Sequence, residues 1–314
     1  MLRVTARAKI NWTLDILGIR PDSYHLLDML LQSVELCDTL WLEKQERLTL
    51  RVEYEEMGKT VPYGEDAGLK GNLPTQSFIV TADEKNLVMK AARALQEATG
   101  SREGAMIRLV KRIPVGAGMG GGSADAAAAL LGLCELWGLT LPREKLQAIA
   151  LSLGADVPFM LTGGLVRVQG IGEMLRPLSA LQPLWLVIIQ PCQGLSTKEI
   201  FDAYDQVHVN SAPQLHTQAA QETLLCGDLQ RLAKTMGNAL EPVSTTYRPE
   251  IGQAIRALED EGAIKAMMTG SGSAVFGLFG EEESARHAYE RLQGRWRKTY
   301  LTKTAKNGIT WMRC

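Results

Sequence analysis

The segment Pro114-Val115-Gly116-Ala117-Gly118-Met119-Gly120-Gly121-Gly122-Ser123 constrains the fold of this chain more than any other. Five of the seven positions from Gly116 to Gly122 are glycine. Each glycine inside a helix or strand costs roughly 0.5–1 kcal/mol relative to alanine. A run this dense is tolerated where the backbone itself must approach something closely. Ser123 is a good N-cap, and the alanine-rich stretch after it is strongly helix-forming up to Gly138. The spacing predicts a helix over 123–137 fed by a bare glycine loop. Free N–H groups at the positive end of a helix dipole make an anion site, and phosphate is its usual tenant.

A flexible turn is the plain alternative, although a turn rarely needs so many glycines. Gly116-x-Gly118-x-x-Gly121 also fits the dinucleotide fingerprint, with Glu135 near the spacing of its ribose-binding acid. Glu135, however, falls inside the predicted helix and not at the end of a second strand. A P-loop would need Gly-Lys-Ser/Thr after the glycines, and none follows. A phosphate loop of non-Walker type remains.

The rest of the chain reads as α+β. Strand-like runs are Leu2–Ala8, Thr13–Leu17, Thr39–Leu42 and Leu48–Tyr54, then Met106–Ile113, Leu165–Val168, Trp185–Gln190 and Ala274–Leu278. Helical spacing covers Asn86–Thr99, Pro142 to about Gly154, Thr197–Tyr204, Glu222–Met236, Pro249–Glu261 and Glu282–Leu292. Glu55–Asp83, rich in glycine and proline, reads as a long surface loop or insertion. Two lobes are expected to meet near residues 160–185.

Composition narrows the function classes. A net charge of -1 over 314 residues gives no basic surplus for a nucleic-acid partner. Five scattered cysteines show no metal spacing, which argues against zinc and for reduced thiols in a cytoplasmic protein. No apolar run of about 18 residues suggests a membrane span, and Leu2–Leu17 has no signal-peptide character.

Lys9, in Ala6-Arg7-Ala8-Lys9-Ile10-Asn11, reads alone as an exposed strand residue. Asp156, in Leu153-Gly154-Ala155-Asp156-Val157-Pro158-Phe159, reads alone as a helix cap before an extended Val-Pro step. Together with the loop they carry a resemblance. Pro114–Ala128, PVGAGMGGGSADAAA, resembles the second motif of the GHMP kinase superfamily, the loop that wraps the ATP phosphates at a helix N-terminus. Thr269-Gly270-Ser271-Gly272-Ser273-Ala274 resembles the third motif, a glycine turn near phosphates and substrate. Ala8-Lys9-Ile10-Asn11, Arg20-Pro21-Asp22-Ser23-Tyr24-His25 and Gly154–Phe159 are similar to the branch acting on a cytidine diphosphate-linked polyol of the non-mevalonate isoprenoid pathway.

That resemblance implies a two-lobed GHMP kinase fold. A ribosomal protein S5 domain 2-like lobe would span 1–170, and a ferredoxin-like α/β lobe 171–314. Lys9 and Asp156 become catalytic, with Asp156 accepting the proton of the attacking hydroxyl. Residues Pro114 to Ser123, with Asn86 and Lys111, become ATP-binding. Asn11, Tyr24, His25, Thr197, Phe201, Gly270, Ser271 and Gly272 become substrate-binding, with Phe201 stacking on the base. The implied cofactors are ATP and Mg²⁺, with Ser123 a candidate metal ligand. The partners are small molecules only, and the chain would be a monomer or homodimer. Asp125 suits the helix dipole but repels phosphate unless its side chain turns away. Gly170-Ile171-Gly172-Glu173 and Gly237-Asn238-Ala239-Leu240-Glu241-Pro242 also match the family without an obvious chemical role. The departures are Ser23 for a glycine, Met119 for a leucine, and the length of 55–83. Another GHMP kinase acting on homoserine, mevalonate or a sugar, or a silent binding protein of the same fold, are the competing readings.

Overall fold

The N-terminal run forms one long strand, β1 (Leu2–Ile19), antiparallel to β2 (His25–Gln45). Leu2, Val4 and Ala6 alternate inward, and from Ala8 to Ile16 burial becomes continuous. Alternation ends there because elements cover both faces of the strand. The computed structural model describes residues 1–22, 24–56, 59–62, 80–179, 182–208, 214–296 and 298–314. Ser23 and most of the stretch read as an insertion lie outside the described residues.

The chain continues through β3 (Thr49–Glu56), β4 (Lys59–Pro62), α1 (Leu87–Thr99) and β5 (Gly104–Lys111). Helices α2 (Gly121–Trp137), α3 (Arg143–Leu153) and α4 (Val157–Thr162) follow, then β6 (Leu165–Gly170) and β7 (Met174–Leu178). After β8 (Trp185–Ile189) come α5 (Thr197–His208), α6 (Thr217–Cys226), α7 (Leu229–Thr235) and the short β9 (Gly237–Asn238). The remaining elements are α8 (Glu241–Tyr247), α9 (Pro249–Asp260), β10 (Lys265–Met268), β11 (Val275–Phe279), α10 (Glu282–Leu292), β12 (Thr299–Lys303) and β13 (Ile309–Arg313).

Among the described residues the strands form two sheets. The nine-stranded one runs β13-β1-β2-β5-β3-β4, with β6 and β7 branching from β2, and β9 pairing with β1. Strands β7 and β13 belong to this sheet although they follow the boundary expected at residue 170. The second sheet is antiparallel in the order β10-β11-β8-β12. Taken as its own four strands, that order is 2-3-1-4 with helices between first and second and between third and fourth. This is the split βαβ arrangement of a ferredoxin-like lobe. The α+β two-lobed reading is what the structure shows.

Helix α2 lies against β1 and β2 with an almost wholly apolar surface. Ala124, Ala126–Ala129 and Leu130 are fully buried. A Cβ at Gly132 would fall 2.5 Å from Leu42 Cδ1 and 2.8 Å from Val4 Cγ2, so the small side chains let the helix sit low on the sheet. This fixes the height at which the helix presents its N-terminus. No helix among the described residues is long and apolar enough to cross a membrane.

Two local expectations are corrected. Val157-Pro158 is helical, because a proline in the first turn loses no intrahelical hydrogen bond. The single helix expected over 222–236 is two. Gly227 closes α6 at φ 74°, and the Asp228 carboxylate caps α7 by accepting from Arg231 N at 2.9 Å.

Candidate active site

The glycine loop joins β5 to α2 and is held from several sides. Ala274 N donates to Ala117 O at 3.1 Å, Lys9 N to Met119 O at 3.0 Å, and Gln190 Nε2 to Val115 O at 3.2 Å. Pro114, Ala117 and Met119 are buried anchors. Gly116, Gly118 and Gly120 take φ of 67°, 77° and 68°, where a side chain is strained. Helix α2 begins at Gly121 with Gly120 as its N-cap, earlier than the predicted Ser123. Ala124 N is the first amide to reach a helical carbonyl, Gly120 O at 2.8 Å. The amides of Gly121, Gly122 and Ser123 therefore open the helix without intrahelical partners. No side chain caps them, which suits a site whose partner is an anion. Ser123 sits in the third helical position and is half-buried.

Beneath this helix end lies a buried ionic cluster. The Lys111 ammonium donates to Asp38 Oδ2 and, at 2.6 Å, to Asp125 Oδ2. Asp38 Oδ1 also accepts from the backbone of Arg112 and from Ile113 N at 2.8 Å. One carboxylate thus clamps the exit of β5 while the lysine ties it to Asp125, one turn into α2. Asp125 turns inward, away from the anion site, which answers the charge conflict its position raised. Burial pushes its carboxyl well above the usual carboxylate range, against the pull of Lys111. The two carboxylates more than offset burial at Lys111 and raise its pKa. Asn86 is the N-cap of α1, its Oδ1 accepting from Val88 N at 2.9 Å and its Nδ2 donating to Thr81 O at 2.6 Å.

Lys9 and Asp156 meet across the loop. A Cβ at Gly120 would lie 3.4 Å from Lys9 Cγ, 3.6 Å from Asp156 Oδ2 and 2.3 Å from Met160 Cε. A side chain there would be strained by the φ of 68° and would have to displace the Met160 methyl. Lys9 is buried, not exposed, and its Nζ donates to Asn11 Oδ1 at 2.7 Å. Desolvation lowers its pKa, and the Asp156 carboxylate works in the opposite direction. Asp156 opens α4 but caps nothing with its side chain. Among the described residues that carboxylate accepts no hydrogen bond, which leaves its oxygens for an incoming hydroxyl.

Asn11 connects this pair to the third glycine turn. Its Oδ1 also accepts from Thr269 Oγ1 and Gly270 N, both at 3.1 Å, and its own N donates to Thr269 Oγ1 at 3.0 Å. Asn238 supports the turn from the other side, donating to Met268 O at 3.0 Å and Gly270 O at 2.9 Å. Gly270 and Gly272 hold φ of 59° and 88°. Ser271 Oγ pairs with Thr197 Oγ1 at 3.0 Å, joining the turn to the start of α5. The same helix carries Phe201, whose ring centroid lies 4.5 Å from that of His25. His25 Nε2 and Asp205 Oδ1 are 2.8 Å apart. Tyr24 precedes β2 and is 60% exposed, unlike the largely buried His25 side chain beside it.

Comparison with known proteins assigns the family at this point. Residues 86–164 match the GHMP kinases N terminal domain, and 218–298 match the GHMP kinases C terminal domain. The chain belongs to the GHMP kinase family. It is 36% identical over 303 residues to the 4-diphosphocytidyl-2-C-methyl-D-erythritol kinase of Alkaliphilus metalliredigens, covering 96% of each chain. Identity with the enzyme of that name from Paracidovorax citrulli is 44% over 274 residues, or 86% of this chain and 84% of that one. A crystal structure of 4-(cytidine 5'-diphospho)-2C-methyl-D-erythritol kinase superposes with a TM-score of 0.76 at 32% identity, covering 97% of this chain and 99% of that one. Homoserine kinase from Cytophaga hutchinsonii shares the fold alone, with a TM-score of 0.72, 19% identity, and coverage of 99% and 97%.

In this GHMP kinase the glycine loop, Lys9, Asn11, Asp156 and the 269–274 turn lie together. Residues the sequence reading left out complete them. Asp38 appears in sequence as one more polar residue of a strand, and its only signal is a charge at an inward position. Asn238 had been matched to a family pattern without a role, and the turn it holds supplies one. Asp205 lies one helical turn after Phe201 and carried no signal of its own.

Proposed function

We propose that this chain transfers the γ-phosphoryl group of ATP to the 2-hydroxyl of 4-diphosphocytidyl-2-C-methyl-D-erythritol. The observation that carries this reading is the meeting of Gly120, Lys9 and Asp156 at the open end of α2. The loop amides hold the nucleotide phosphates, with the helix dipole adding to their attraction. Asp156 accepts the proton of the 2-hydroxyl as its oxygen forms a bond to the γ-phosphorus and the bond to the β-phosphate oxygen breaks. Lys9 balances charge on the transferring group, and Asn11 holds the ammonium in place.

Among the described residues no three His, Cys, Asp or Glu side chains form a metal cage. Magnesium does not need one, since it is bound through phosphates and one or two protein oxygens. The Ser123 hydroxyl, in the first turn of α2, fits as such an oxygen. Bound there, the ion would neutralise phosphate charge.

At the other end, His25 and Phe201 form an aromatic corner for the cytosine, and Tyr24 borders it from solvent. Thr197 and the 270–272 turn lie between this corner and the Lys9–Asp156 pair. The relatives named above support this substrate. Phosphorus-31 NMR of the products tests the reading. One new phosphomonoester on the 2-hydroxyl, with the diphosphate intact, is expected. A phosphate on another hydroxyl, or none, would overturn it.

A further inference from the structure

Phe201 and Asp205 stand four residues apart on α5 and so share one helix face. Both meet the same partner. The Phe201 ring is inclined 38° to the His25 ring at 4.5 Å, and the Asp205 carboxylate lies 2.8 Å from His25 Nε2. Asp202, on the same helix, pairs instead with Lys198 at 3.8 Å. The histidine side chain is only 12% exposed, so its ring is held and not swinging in solvent. Among the described residues its Nδ1 has no hydrogen-bond partner.

A carboxylate only accepts hydrogen bonds, so the 2.8 Å contact requires the proton on Nε2. In the neutral ring Nδ1 is then an acceptor. Cytosine and uracil differ on this edge. Cytosine offers an exocyclic amine, a donor, where uracil offers a carbonyl, an acceptor. An acceptor at Nδ1 pairs with the first and opposes the second. We propose that Asp205 is a positioning residue for pyrimidine selection, fixing His25 in the Nε2–H tautomer so that Nδ1 receives the exocyclic amine of cytosine. This rests on the cytidine reading above and adds the residue that makes the pocket select between pyrimidines.

Nitrogen-15 NMR of histidine-labelled enzyme at pH 8 reads the tautomer directly. The chain has four histidines, and His25→Gln identifies the relevant signals by their loss. The wild type is expected to show a protonated Nε2 and a bare Nδ1. Asp205→Asn keeps an amide oxygen that accepts from Nε2–H, whereas in Asp205→Ala that preference should disappear. The ratio of kcat/KM for the cytidine substrate over its uridine counterpart should fall about tenfold or more, since a mispaired polar group in a site is strongly rejected. A wild-type Nδ1–H tautomer, an imidazolium at pH 8, or an unchanged ratio in Asp205→Ala would overturn the proposal. Absence of turnover on either nucleotide by the wild type would sink the substrate reading instead, and the NMR signals would still decide the tautomer.

Discussion

Gly118 and Thr269, one in the glycine loop before α2 and one in the 269–274 turn, touch through their backbones. A Cβ built on Gly118 would lie 2.3 Å from the Thr269 carbonyl oxygen and 3.1 Å from Gly272 N. A Cβ built on Gly270 would lie 2.7 Å from the Gly118 carbonyl oxygen. Two segments about 150 residues apart thus form one floor, and neither can gain a side chain without moving the other. Gly118→Ala should therefore abolish most activity and lower the melting temperature. Its φ of 77° adds strain of order 1–3 kcal/mol to the clash. Wild-type kinetics in that variant would show the contact to be dispensable.

Asp156 is proposed to act on the hydroxyl proton and not on the nucleotide. Asp156→Asn keeps the shape and removes the base. Turnover should fall by about 10²–10⁴, the usual range for a lost general base, with the affinity for ATP nearly unchanged. Steady-state rates beside calorimetric nucleotide titrations separate the two quantities. Near-normal turnover would remove Asp156 from the proton transfer.

Lys9 gives a prediction in pH. Burial lowers its pKa, so the ammonium loses its proton at a lower pH than an ordinary lysine. Activity that depends on that charge falls as pH rises, with an alkaline limb in kcat/KM below the ordinary value of about 10.4. Arginine stays protonated throughout, so Lys9→Arg, where it retains activity, should lose that limb. A limb unchanged in Lys9→Arg would assign it elsewhere. Asp156→Asn should pull the Lys9 titration lower still, because the opposing attraction is gone.

The Asp38–Lys111–Asp125 cluster predicts a stability effect under the proposed nucleotide site. Lys111→Met would leave two buried carboxylates facing each other without a cation. Removing one partner of a buried ionic group costs about 3–5 kcal/mol. Chemical denaturation should show a loss of that size, with weaker ATP binding because the loop loses its support. A loss below about 1 kcal/mol would mean the cluster is already neutral or hydrated.

Much of this site was legible in sequence where the chemistry is local. Glycines 116–122 announced a bare backbone, and the alanines after them announced a helix able to pack close. Lys9 reads as exposed in sequence but is buried, because alternation in β1 says nothing of what covers its second face. Helix α4 was read as extended from the Val157-Pro158 step, although proline is also at home in a helix's first turn. Asp38, Asn238 and Asp205 act on partners about 30 to 180 residues away, and no spacing rule reaches that far. The resemblance to GHMP kinases carried what periodicity could not.

A coupled ADP-release assay with Mg-ATP tests the central claim most directly. It compares the cytidyl-methylerythritol substrate with homoserine, mevalonate and galactose. Turnover on the cytidyl compound alone is the predicted result. Turnover on another alcohol in its place, or no ADP release from any of the four, would contradict it.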